Sequence, residues 1–197
     1  MPRPALTSRH HLTDALIRVV VEQGLDAVSI RTVAREAGVS SGTVQYHFPT
    51  KDDLLLAAYQ RAIEQVTERA REVAADDPPP RVYVHALLGE LLPLDDRRET
   101  GLRVALAFSA RSVHSPRLTE LYTHGYRALV DAVANALALA VERGEAAAGV
   151  EPRRDAVQAV ALADGLGWHV LCAPSAIAGA TAEAALDDHL ARLLPPP

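Results

Sequence analysis

Gly38 separates two apolar-periodic stretches that are each too short to persist as isolated helices, and this sets the reading of the N-terminal part of the chain. Upstream, Ser29 offers an N-cap oxygen to a helix carrying Ile30, Val33, Ala34 and Ala37 on one side. Downstream, Ser40 offers the same to a helix through Thr43, Val44 and His47. Helices below about 12 residues are marginal in water, so both need a third element to pack on. Leu12, Ala15, Leu16, Val19 and Val20 recur at three- and four-residue spacings and predict that element, with Thr7 or Ser8 as N-cap and Gly24 just past its end. A glycine in the left-handed C-cap conformation at Gly38 closes the first short helix with a tight turn. Two short helices joined in this way, the second polar on its outer side, form a helix-turn-helix.

Phe48 and Pro49 end the third helix, and Thr50 caps a fourth whose first turn is Lys51, Asp52 and Asp53. The two aspartates suit the positive end of the helix dipole. This helix is predicted to run through Leu54, Leu55, Ala58, Ile63 and Val66 to about Val73, where the prolines of 76–80 must break it. Further helices are expected at about 81–92, 96–113, 116–144, 153–172 and 176–194, divided at Pro93, Pro116, Gly149 to Pro152 and Pro174. Aromatic residues make up only 4% of the chain, and its apolar content is mostly Ala, Leu and Val, which favours close-packed helices over a β-sandwich. The expected fold is therefore all-α, of about nine helices. A three-helix DNA-binding domain (1–53) is joined by helix 4 to a C-terminal helical ligand-binding and dimerisation domain (54–197).

The outward residues of the third helix and its approach are Ser40, Ser41, Thr43, Gln45, Tyr46 and His47. Short hydroxyls, an amide, a phenol and an imidazole can bond phosphates and base edges without a cluster of strong cations. The net charge of −5 argues against a nucleic-acid binder only until it is divided: residues 1–51 hold six cationic against four acidic residues, the remainder 14 against 21. Nineteen of the 20 cationic residues are Arg, and Lys51, at a helix N-terminus, is the only ammonium side chain. Such an end favours phosphate. For Tyr46, packing of the ring on the fourth helix and contact with phosphate both stay open.

The run Gly38-Val39-Ser40-Ser41-Gly42-Thr43-Val44-Gln45-Tyr46-His47-Phe48-Pro49-Thr50-Lys51-Asp52-Asp53-Leu54-Leu55, with Val28-Ser29-Ile30-Arg31-Thr32-Val33-Ala34 before it, resembles the signature of the TetR family of transcriptional regulators. The resemblance covers about residues 8–60. It implies that Ser29, Arg31, Thr43, Tyr46, His47 and Lys51 fall where family members contact DNA, with Lys51 as phosphate anchor. Gln45 stands where many members carry an aromatic, and its amide would pair most naturally with adenine.

The C-terminal part resembles, more loosely, the subgroup that contains choline-responsive regulators, around Leu94 to Arg98 and Arg103 to Phe108. The resemblance implies a small-molecule effector of unspecified identity and a homodimer on a near-palindromic double-stranded operator. Tyr83, Arg103, Phe108, Tyr122, Tyr126, Trp168, His169 and Cys172 are the candidate pocket residues. For Trp168, His169 and Cys172, packing is favoured over metal binding, because a His-x-x-Cys pair provides two ligands where zinc needs three or four. Arg103, Arg111, His114 and His124 could meet a carboxylate ligand, with a solvated face as the favoured alternative. The last two helices are apolar nearly all round, so Leu162, Leu166, Val170, Ala182, Leu186 and Leu190 are expected at a four-helix dimer interface, the alternative being that these helices complete a monomeric core.

A single cysteine excludes an intramolecular disulfide, and no apolar run of membrane-spanning length or signal-peptide core is evident, so a cytoplasmic location is expected. No cofactor or metal is expected. Gly165-Leu166-Gly167 lacks the third glycine of a dinucleotide fingerprint, and no nucleophile elbow, H-E-x-x-H or P-loop occurs, so an enzyme is not expected. A ligand-released repressor is the leading reading. A ligand-responsive activator and a ligand-free architectural DNA binder are the alternatives.

Overall fold

The computed structural model describes residues 9–24 and 27–196. Among these lie nine α-helices and no strand: α1 (Arg9–Gln23), α2 (Ile30–Ala37), α3 (Ser41–His47), α4 (Lys51–Ala75), α5 (Pro80–Gly89), α6 (Asp96–Ser112), α7 (Pro116–Arg143), α8 (Pro152–Cys172) and α9 (Gly179–Leu193). The all-α expectation holds, and the expected breaks fall within a few residues of the observed ones. Proline opens α5, α7 and α8, where its missing N–H costs no intrahelical bond. The α9 start is later than expected, because residues 173–178 form turns after Pro174. The proposed Thr7 or Ser8 cap lies outside the described residues.

The chain divides into two compact units, one of Met1–Glu64 with Arg103–Thr119, the other of Gln65–Leu102 with Glu120–Pro197. The second half of α6 and the start of α7 thus belong to the same unit as the N-terminal helices.

In the first unit Leu12, Leu16 and Val19 of α1, Val33 of α2, Val44 of α3, Phe48 and Leu54 all have no exposed surface. Val104 of α6 joins this core, with Ala107 packed against it. Tyr59 of α4 and Phe108 of α6 stack face to face, ring centroids 3.9 Å apart and 8° from parallel, an arrangement worth about 1 kcal/mol beyond the area it buries.

The second unit is built on Val84, Leu87 and Leu88 of α5, Val130, Val133 and Leu137 of α7, Ala156, Ala159, Val160 and Ala163 of α8, and Ala182, Leu186 and Leu190 of α9. The alanines let α8 approach its neighbours closely. Closest of all is Gly167, where a Cβ would stand 2.1 Å from the Leu91 carbonyl oxygen. Packing, not a cofactor loop, thus accounts for that glycine. Glu90 closes the end of α5 with two arginines, accepting from Arg69 Nε (2.8 Å) and Nη2 (2.5 Å) and from Arg97 Nη1 (2.8 Å) and Nη2 (3.0 Å).

Candidate nucleic-acid interface and effector site

Each helix of the helix-turn-helix begins in a side-chain cap. Ser29 Oγ accepts the Thr32 N–H at 3.1 Å while Thr32 Oγ1 accepts the Ser29 N–H at 2.9 Å, a capping box with threonine in the usual glutamate position. Ser40 Oγ accepts the Thr43 N–H at 3.1 Å. Thr50 Oγ1 accepts the Asp53 N–H at 3.1 Å, and Asp53 Oδ2 returns the bond to the Thr50 N–H at 3.1 Å and accepts the Thr50 hydroxyl at 2.7 Å. The Thr50 hydroxyl, followed by Arg117 and the Thr50 N–H, holds the Asp53 carboxyl below the ordinary carboxylate value against the opposing effect of burial. Gly38 has φ 67° and its N–H reaches the Ala34 and Arg35 carbonyls, so the left-handed turn is real and glycine is the residue that adopts it without strain.

These caps decide which side chains are available. Arg31, Ser41, Gln45, Tyr46 and Lys51 are exposed, Thr43 and His47 half-buried. Ser29 and Ser40 are exposed as well, yet their hydroxyl oxygens already serve the caps. Tyr46 is 83% exposed, its ring edge-on to His47 at 5.2 Å, which removes the reading in which it packs on α4. Phe48 is the ring that goes inward, at 0% exposure with the Arg9 guanidinium 5.0 Å from its centroid.

Three contacts not foreseen from the sequence surround the first turn of α4. Asp52 accepts from Arg111 Nε at 2.9 Å and from Ser115 Oγ at 3.3 Å, and Asp53 Oδ1 accepts from Arg117 Nη1 at 2.6 Å. Arg111 therefore pairs with a carboxylate of the chain itself while its side chain stays 47% exposed. Sequence separations of 59 and 64 residues hide such pairs from any local pattern.

Of the eight candidate pocket residues, six belong to the second unit. Arg103 and Phe108 belong to the first unit, and Phe108 is committed to its stack on Tyr59. Tyr83 lines a cavity of about 170 Å³ with Arg69, Val73, Leu87 and Glu90. Trp168 (52% exposed), His169 and Cys172 lie open on α8 and enclose nothing within the chain. Tyr122 and Tyr126, one turn apart on α7, influence each other electrostatically. Tyr122 also feels the charge of Asp164, whose desolvated carboxyl is pushed up to about 6 and which, after burial itself, is the main influence raising the Tyr122 phenol. Asp164 was missed because a single acid in an apolar helix carries no signal of which way it faces.

Of the six residues expected at the dimer interface, five belong to or pack against the chain's own core and Leu162 is half-buried. Ala182, Leu186 and Leu190 have 0% exposure within one chain, so they have no surface left for a partner, and Leu166 and Val170 pack against that same core. The apolar surface that α8 does present is Val157, Ala161, Trp168 and Cys172, spaced along one face of the helix.

A capped, exposed polar helix on a three-helix core, with a lysine at the next helix start, makes the first unit a helix-turn-helix DNA-binding module of a transcriptional regulator. Residues 12–58 match the family model for bacterial regulatory proteins of the tetR family, and residues 80–195 match the model for the C-terminal part of BetI-type transcriptional repressors. The chain belongs to the TetR family of transcriptional regulators, and its relatives are regulators, not enzymes. It is similar to the HTH-type transcriptional regulator PksA of Bacillus subtilis, 28% identical over 166 residues covering 84% of this chain and 80% of that protein. To the HTH-type transcriptional regulator BetI of Proteus mirabilis it is 31% identical over 172 residues, covering 84% and 82%. The fold is shared with a transcriptional regulator from Saccharomonospora viridis solved in complex with choline, with a TM-score of 0.88, 24% identity, and coverage of 94% of this chain and 97% of that one. No described helix is long and apolar enough to cross a membrane.

Proposed function

We propose that the chain acts in the cytoplasm as a homodimeric repressor that leaves a near-palindromic operator when a small molecule binds the second unit. The observation that carries the DNA-binding part is the exposure of Gln45, Tyr46 and Lys51 around α3, while Ser29 and Ser40 spend their hydroxyls on the caps. Phosphate grip is then assigned to Lys51, Arg31, Ser41 and Thr43 together with the helix N-termini, and sequence reading to Gln45 and Tyr46, with His47 supporting the Tyr46 ring. Two α3 helices of a symmetric dimer would enter successive major grooves about 34 Å apart. The dimer face proposed is the α8 stripe of Val157, Ala161 and Trp168.

The effector is proposed to sit beside Asp164, Tyr122 and Tyr126. A desolvated carboxylate with no basic partner among the described residues, within electrostatic reach of the Tyr122 phenol, suits an organic cation. The choline bound by the Saccharomonospora viridis regulator supports that class. Effector binding would lower operator affinity through differential affinity for the two states.

Selection of duplexes from random DNA, followed by mobility shifts with the selected sequence and with choline or other quaternary amines, tests this reading. Gln45→Ala should change the preferred sequence. An unchanged preference would remove Gln45 from base reading. Asp164→Asn should still bind DNA but no longer release it with the amine.

A further inference from the structure

The net positive charge of the DNA-binding unit equals that of its second piece, because the first sums to zero. Residues 1–64 hold seven cationic and seven acidic side chains, so the +2 of residues 1–51 is cancelled by 52–64. Residues 103–119, the other piece of the same unit, hold Arg103, Arg111 and Arg117 and no acid at all. Two of those three arginines bind the carboxylates that follow Lys51: Arg111 bonds Asp52, and Arg117 bonds Asp53. Both arginines stay largely open to solvent, with side chains 47% and 60% exposed, while the aspartates are more covered at 26% and 16%.

A phosphate held at Lys51 would lie within one helical turn of two carboxylates. Left bare, these would repel it and offset both the lysine and the dipole of α4. We infer that Arg111 and Arg117 are positioning residues for operator binding, which neutralise Asp52 and Asp53 beside the phosphate anchor so that the start of α4 presents a net positive charge to DNA. The inference rests on the assignment of Lys51 as phosphate anchor. It extends the DNA-binding machinery to the α6–α7 corner, some sixty residues from the helix-turn-helix in sequence.

Three roles for Arg111 are separable in the full chain by fluorescence anisotropy, using a duplex selected by the wild type and a generic duplex, at several salt concentrations. If it masks Asp52, Arg111→Gln weakens both duplexes about five- to tenfold at low salt. Asp52→Asn then binds at least as well as wild type, and the double variant returns to within about twofold of it, since both charges are gone. A double variant as weak as Arg111→Gln overturns the inference. If Asp52→Asn alone is also weak, the pair is a tether; if Asp52→Asn is tight, Arg111 itself touches phosphate.

Should Arg111→Gln fail to fold, the swapped pair Asp52→Arg with Arg111→Glu keeps the bridge and its net charge and is expected within about threefold of wild type. A loss as large as that of Lys51→Ala refutes masking. Lys51→Ala is also the control for the underlying assignment. If it binds both duplexes as wild type does, the anchor reading fails and the masking inference falls with it, a result distinguishable from failure of the rescue alone.

Discussion

At the scale of single residues, position in a helix and neutralisation by neighbours matter more than residue type. Lys51 is expected to hold, not to read. Lys51→Ala should weaken specific and generic DNA alike and make the salt dependence of binding shallower by about one unit of slope; a selective loss of the specific duplex would instead make it a reading residue. Burial opposes the charge of Asp164. Its carboxyl titrates at about 6 in the folded chain against an ordinary 3.8, so the unfolded chain is already ionised where the folded one still holds its proton. Its contribution to stability is fully present below about pH 4, is lost as pH rises to about 6, and stays lost above. His189, lowered by burial, slopes the other way over part of that range, so the measurement is the difference between Asp164→Asn and wild type in denaturant unfolding. That difference should favour the variant by about 3 kcal/mol at pH 7 and shrink towards zero near pH 4. A pH-independent difference would rule out ionisation as its cause.

At the scale of elements, caps and close approaches fix where helices start and how near they come. The start of α2, the Gly38 turn and the starts of α3 and α4 were legible in the sequence because a cap is a local interaction: Ser29 with Thr32, Ser40 with Thr43 and Thr50 with Asp53 are all three residues apart. Gly167 was not legible in that way. Its neighbour is the Leu91 carbonyl, 76 residues away along the chain and on the segment after α5, and a backbone atom cannot swing aside as a side chain can. Gly167→Ala is expected to destabilise the second unit by about 3 kcal/mol or more, seen as a lower unfolding temperature, although alanine is the better helix former. Gly101 sits on α6 with open space around its Cβ direction, and Gly101→Ala should leave stability unchanged or raise it. Equal behaviour of the two variants would show that the contact at Gly167 does not restrict α8.

At the scale of the whole molecule, charge is divided by packing unit and not by a cut in the chain. The unit of 1–64 with 103–119 carries +3 and the other carries −8, giving the total of −5. Such a division attracts DNA to one unit and discourages non-specific wrapping by the other. The proposed dimer follows from what each chain leaves uncovered. Trp168, half-exposed on α8, is a large apolar surface that a second copy would bury. Trp168→Asp should shift sedimentation from dimer to monomer and cost operator affinity with it, because a single helix-turn-helix loses the paired half-site; unchanged sedimentation would place the interface elsewhere. The sequence alone determined the helix-turn-helix, its polar outer face, its lysine and the all-α class, since all of these rest on caps and periodicities that act within about four residues. Tertiary structure alone decided that α9 spends Ala182, Leu186 and Leu190 inside its own chain, that Phe108 serves the DNA-binding unit, and that Asp52 and Asp53 are met by Arg111 and Arg117. Those outcomes depend on which helix faces which, and one apolar or charged side chain looks the same in sequence whichever neighbour it will find.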